Sequence, residues 1–210
     1  SARADLHSSP AIRVAGRRAL ALGGVGPDDI AHIDLYSCFP SAVQIAAAEL
    51  GLGLERDLTV TGGLCFAGGP WNNYVTHSIA TMSTVLRAHP GDIGLVSANG
   101  GFVTKHAFGL YGTEPPAGGF RWENAQAEID ASFTPTPIAD ATYKGPATVE
   151  AYTVMHGRDG EPERGICALR TPEGTRTWGT SEDGEVLRQM EQEEFVGVAT
   201  TVGAEGDAQF

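Results

Sequence analysis

Helical and strand-like spacings of apolar residues alternate as far as Tyr111, and beyond that point the chain turns β-rich. From Pro10 to Leu22 the run PAIRVAGRRALAL follows Ser8–Ser9 and stops at Gly23–Gly24, which are start and stop signals for a helix. Ala31 to Cys38 (AHIDLYSC) is a short apolar run that predicts a buried strand. Pro40 suits a first helical turn, and SAVQIAAAELGL continues as a helix ending at Gly51. Residues 58–65 (LTVTGGLC) predict another strand, and Asn73 to His89 a helix full of small residues. Asp92 to Ala98 and His106 to Gly112 predict two more strands. Strands and helices alternating at these lengths predict a layered α/β sheet, mainly parallel.

After Tyr111, TEPPAGGFRW is a Pro/Gly-rich linker. Thr148 to His156 alternates, and Asp159-Gly160 then supplies a hairpin signal. Gly165 to Arg170 and Thr175 to Thr180 flank a second turn at Glu173-Gly174. An acidic helix from about Glu182 to Glu194 precedes a last strand, FVGVATTV. Three strands, a helix and a strand predict a small β-barrel of the oligonucleotide/oligosaccharide-binding (OB) type. The expected organisation is an α/β domain over residues 1–113 and a linker with the first part of the β domain over 114–145. The barrel follows over 146–202, and a loose tail over 203–210.

With 210 residues, 41 % hydrophobic and 19 % charged, the chain has material for a sizeable core and is not of disordered composition. A net charge of −12 with scattered basic residues argues against nucleic acid and anionic membranes as partners. No apolar run approaches the ~20 residues that span a bilayer. The first residues, SARADLHSSP, lack a signal peptide's basic start and apolar stretch, and they lack a methionine, so the chain is expected to begin at an internal point. Cys38, Cys65 and Cys167 form no CxxC pair and no metal-ligand spacing, which predicts reduced thiols, a cytoplasmic location and no metal.

Three loops at predicted strand ends hold the candidate chemistry, because ligands of α/β sheets gather there. They are YSCF (Tyr36 to Phe39), GGPWNN (Gly68 to Asn73) and ANGGF (Ala98 to Phe102), with Lys105 and His106 just behind. Cys38, His77 and His106 offer a Cys/His combination against the plainer reading of a buried thiol and structural histidines. Asn72 and Asn73 either cap the following helix or, with its N-terminus, hold a carbonyl oxygen or an anion.

In order and spacing these loops resemble the C-terminal half of the thiolase superfamily. DLYSCFPSAVQIAAAELGL is similar to the segment where thiolases carry Asn-Glu-Ala-Phe and sterol-carrier-type thiolases His-Asp-Cys-Phe. TGGLCFAGGPWNNY is similar to the stretch leading to Gly-His-Pro, and VSANGGFVTKHAFGLY to the final Cys-x-Gly or His-Asn-x-Gly loop. The likeness covers residues ~8–113, and the remainder resembles the extra C-terminal domain of bacterial thiolase-like proteins labelled acetyl-CoA acetyltransferases.

The resemblance implies a site with Tyr36, Cys38, Asn99 and His106 as catalytic candidates. Phe39, Gly69, Asn72 and Asn73 are candidates for binding substrate or coenzyme A. It also implies a coenzyme A thioester as substrate or ligand, no covalently bound cofactor, and an N-terminal thiolase half as partner, in the same polypeptide or a separate chain. The loops are degenerate. Tyr36 stands where the family fixes a catalytic water with Asn or His, Gly69 where the histidine base stands, and Ala98 and Asn99 where the second acid/base stands. Losing a positioned base costs about 10²–10⁴-fold and losing an oxyanion donor a comparable factor, so ordinary thiolase turnover by this chain alone is not expected. The expected function is a part of an acyl-CoA acyltransferase with altered loops, against two alternatives: a non-catalytic acyl-CoA binder, or a retro-aldolase using Tyr36. The resemblance further predicts a sheet that lacks its central first strand, with backbone groups left unpaired inside it.

Overall fold

The computed structural model describes residues 3–64, 69–132 and 134–210, and they group into two compact units. One comprises His7–Phe133, and the other Thr134–Phe210 together with the N-terminal segment as far as Leu6.

In the first unit, helix α1 (Pro10–Gly23) starts at Ser9, whose hydroxyl accepts from the Ile12 N–H, and ends at Gly24 with φ 69°. Strand β1 (His32–Asp34) leads to α2 (Pro40–Leu50), and α3 (Tyr74–Ala88) leads to β2 (Gly94–Gly100) and β3 (Lys105–Tyr111). The sheet order is β1-β2-β3, with β1 parallel and β3 antiparallel to β2. The mainly parallel sheet expected from the sequence is therefore mixed. The expected gap at its centre is also absent among the described residues, because the middle strand pairs on both sides.

Leu95 and Val96 are neighbours on β2 and face opposite ways. Leu95 packs with Ile12, Leu20, Ala46, Ala47 and Leu50 of α1 and α2. Val96 packs with Met82 and Leu86 of α3. That alternation builds three layers, helices on both faces of the sheet. Close approach of α1 to α2 needs Gly16, where a Cβ would lie 2.1 Å from Leu50 Cδ2.

The strand predicted over 58–65 does not form in the described part, and Cys65 lies outside the described residues. Leu58 accepts one bond from the Leu35 N–H, but the N–H groups of Val60 and Thr61 both donate to the Asp34 carboxylate, at 3.0 and 3.1 Å. Backbone donors committed to a side chain are lost to a ladder. A short helix absent from the sequence expectation, α4 (Gln126–Ala131), follows the exposed segment after Tyr111.

The second unit is a curled five-stranded sheet, order β6-β5-β4-β7-β8. Its strands are β4 (Gly145–His156), β5 (Pro162–Arg170), β6 (Arg176–Ser181), β7 (Ala199–Val202) and β8 (Ala208–Gln209), with α5 (Gly184–Gln192) between β6 and β7. One parallel bridge, Thr180 to Asp207, brings the β6 edge back toward β8. Asp183 caps α5 by accepting from the Glu185 and Val186 N–H groups, and Leu187 and Met190 enter the core with Val149, Cys167 and Leu169. The tail is not loose: Ala208 pairs with Val202 and is buried, and Phe210 stacks edge-on against Phe195 at 5.3 Å.

Candidate functional site

The end of β1 and the middle of β2 are locked together by Ser97, whose buried hydroxyl accepts from the Tyr36 N–H at 2.9 Å. The Tyr36 ring meets Tyr74 of α3 edge-on, with centroids 4.9 Å apart. Two residues further on, the Asn99 amide donates from Nδ2 to Cys38 Sγ at 3.3 Å. Asn99 faces His106 directly across the β2–β3 pair. The structure thus gathers all four catalytic candidates, Tyr36, Cys38, Asn99 and His106, around the end of β2. Lys105 is exposed and His106 points inward.

Two hollows meet at this cluster. A small, partly open one of about 10 Å³, room for roughly one water, is lined by Tyr36, Ser97, Asn99, Val103 and His106 among others. Asn99 Oδ1 is buried there without a hydrogen-bond donor among the described residues. A larger cleft of about 430 Å³ opens on the Cys38 side, between Leu35, Pro40, Val43, Leu58 and the Gly62–Leu64 backbone. Its walls are mainly apolar and its polar groups few, as in ligand clefts generally. Cys38 lines the cleft and Asn99 the small cavity, so their hydrogen bond joins the two.

Burial, followed by the neighbouring Cys38 and Tyr74, raises the Tyr36 phenol above its ordinary pKa, which keeps it protonated at neutral pH, a donor and not a base.

The binding candidates are placed differently. Phe39 precedes α2 and is 64 % exposed. Gly69 is exposed, and a Cβ built on it meets no described atom within 4 Å. Asn72 and Asn73 are exposed on a short 3-10 turn, Trp71–Asn73, that begins with Trp71 at φ 53°. Neither caps α3. Asn73 instead pairs with His77 through Nδ2 and Nε2 at 3.2 Å, which makes His77 a half-buried helix-surface group and not a core histidine.

The residue that sequence reasoning missed is Asp34. It is fully buried, and its carboxylate accepts from six groups. Thr59 Oγ1, Val60 N, Thr61 N and Thr61 Oγ1 reach Oδ2 at 2.9–3.1 Å, while Tyr74 Oη and Ser78 Oγ reach Oδ1 at 3.0 and 2.7 Å. Tyr74 and Ser78 are four apart and share one helix face. Asp34 therefore ties together both ends of the glycine-rich loop that borders the cleft. The available signal was a lone acid between Ile33 and Leu35 in an apolar run.

Residues 124–207 match the family model of the thiolase-like protein type 1 additional C-terminal domain. The crystal structure of a monomeric SCP2-thiolase-like protein type 1 from Mycobacterium smegmatis superposes on the chain with a TM-score of 0.80 at 35 % identity. That match covers 99 % of this chain and 46 % of the solved one, so the chain spans about half the length of its relative. No curated protein matches the sequence. No helix among the described residues is long and apolar enough to cross a membrane. With its three-layered α/β unit, its curled β unit and both matches in agreement, the chain is a member of the thiolase-like superfamily.

Proposed function

We propose that this chain supplies one side of an acyl-thioester site, of the kind that takes a coenzyme A thioester, in a thiolase-like protein that binds its ligand without condensing it. The observation that carries this reading is the cluster of Tyr36, Cys38 and Asn99, in which Cys38 lines the 430 Å³ apolar cleft and Tyr36 and Asn99 the small hollow, together with Gly69 where the resemblance places the family's base. The cleft suits an acyl or pantetheine stem, and the protonated Tyr36 and the Asn99 amide suit a thioester carbonyl, which is an acceptor. Condensation needs in addition a base for the α-proton. Cys38 accepts from a neutral amide and bonds to no histidine among the described residues, a poor arrangement for an activated nucleophile. A retro-aldolase reading asks Tyr36 to accept a proton, and burial works against that. The reduced thiols Cys38 and Cys167 fit a reducing compartment such as the cytoplasm.

Calorimetric titration of the full-length protein with acetyl-CoA, a longer acyl-CoA and free coenzyme A tests the proposal. Saturable binding that strengthens with the acyl group and weakens several-fold in Tyr36→Phe supports it. Absence of binding to all three ligands, or steady acetoacetyl-CoA thiolysis, overturns it.

A further inference from the structure

Arg176 opens strand β6 and is fully buried. Its guanidinium meets the Glu150 carboxylate twice, Nε to Oε2 at 2.6 Å and Nη2 to Oε1 at 2.7 Å. Glu150 is delivered by an irregularity in the sheet: pairing of β4 with β5 runs from Val149–Leu169 directly to Ala151–Ala168, and Glu150 is the extra residue. Bulges re-aim side chains in this way. Arg170, directly opposite Arg176 on β5, also donates to Glu150. Together the two arginines and Glu150 carry one excess positive charge. Burial alone would raise the Glu150 pKa, but Arg176 and then Arg170 outweigh it and hold the carboxyl below its ordinary range.

The excess charge meets main-chain carbonyls. Arg176 Nη1 donates to the Arg3 carbonyl at 2.7 Å and Nη2 to the Ala4 carbonyl at 3.2 Å. Two successive carbonyls in the fork of one guanidinium hold a stretch of main chain, read by geometry and not by side chain. The backbone of Arg176 is engaged as well, with the Ile138 carbonyl and the Asp140 N–H, both at 2.8 Å.

We infer that Arg176, aimed by Glu150, is a main-chain receptor whose partner is the N-terminal segment of this same chain. Residues 3–6 are thereby an integral part of the β unit, although the matched family domain begins only at residue 124. The β unit is consequently tied into the polypeptide at two places, Leu6–His7 and 133–134, and is not an appendage on a single linker.

Limited trypsin digestion of the full-length protein, followed by mass spectrometry, tests this. The Arg3–Ala4 bond contains the clamped Arg3 carbonyl, whereas Arg121–Trp122 lies in an exposed irregular segment and serves as the reference. Cleavage after Arg3 is expected to be at least about tenfold slower than after Arg121. In Arg176→Met it should rise by about tenfold with the Arg121 rate unchanged, and in Arg176→Lys, which keeps charge but not the fork, by an intermediate factor. If Arg176→Met also opens the bond after Arg170, the β unit has unfolded, and the wild-type ratio and Arg176→Lys decide. Equal wild-type rates after Arg3 and Arg121, or no change after Arg3 in a folded Arg176 variant, overturns the inference.

Discussion

Asp34 in the α/β unit and Arg176 in the β unit are both fully buried ionisable side chains, and the protein accommodates them by opposite means. Asp34 is surrounded by neutral donors, four of its six bonds coming from hydroxyls that rotate freely. Arg176 is matched by a formal opposite charge and by fixed carbonyls. A hydroxyl accepts as readily as it donates, whereas a carboxylate or a carbonyl next to a lost guanidinium has nothing to turn. The α/β unit should therefore tolerate loss of its buried charge better than the β unit does.

The strongest way to break that comparison is Arg176→Met. It leaves Glu150 with Arg170 alone and two carbonyls without their donor, and should cost about 3 kcal/mol or more in urea unfolding. A third buried group, Cys167 on β5, avoids charge altogether: burial pushes its thiol up to about 11. The raised folded value means its stabilising effect is complete below about pH 9 and is lost as pH rises through the folded value. Between those limits wild type should lose up to about 2 kcal/mol relative to Cys167→Ala, measured as the difference of their urea midpoints against pH. Tyrosines titrate in the same window and cancel in that difference.

Asp34→Asn should be milder, about 1–2 kcal/mol. The asparagine oxygen can face the fixed Val60 and Thr61 N–H groups while Tyr74 and Ser78 turn their hydroxyls to accept from its amide. A cost above that of Arg176→Met would invert the comparison. Gly69→His, on an open surface, should change stability by less than about 0.5 kcal/mol, seen as an unmoved thermal midpoint.

Much of this architecture was legible in the chain because its signals are local. Ser9 and Gly24 bound α1, Pro40 and Gly51 bound α2, and Gly160 and Gly174 mark the hairpin turns with φ of 86° and 82°. The failures involve long-range choices. Nothing in LTVTGG announces that its amides belong to a carboxylate 26 and 27 residues earlier. The tail GAEGDAQF looks unstructured until β7 offers it an edge. At the site, the loops pointed to Tyr36, Cys38, Asn99 and His106. The bond that joins Cys38 to Asn99 spans 61 residues and leaves no trace in spacing. Asn72 and Asn73 show the converse, good capping residues in a place where the chain enters α3 through a 3-10 turn and leaves them in solvent.

The central claim, ligand binding without covalent chemistry, is tested most directly by intact-mass analysis of the full-length protein held at saturating acetyl-CoA or acetoacetyl-CoA. The protein mass is expected to stay unchanged under conditions where calorimetry shows the site filled. A stable acyl adduct on a cysteine, Cys38 above all, would overturn it and establish a working nucleophile.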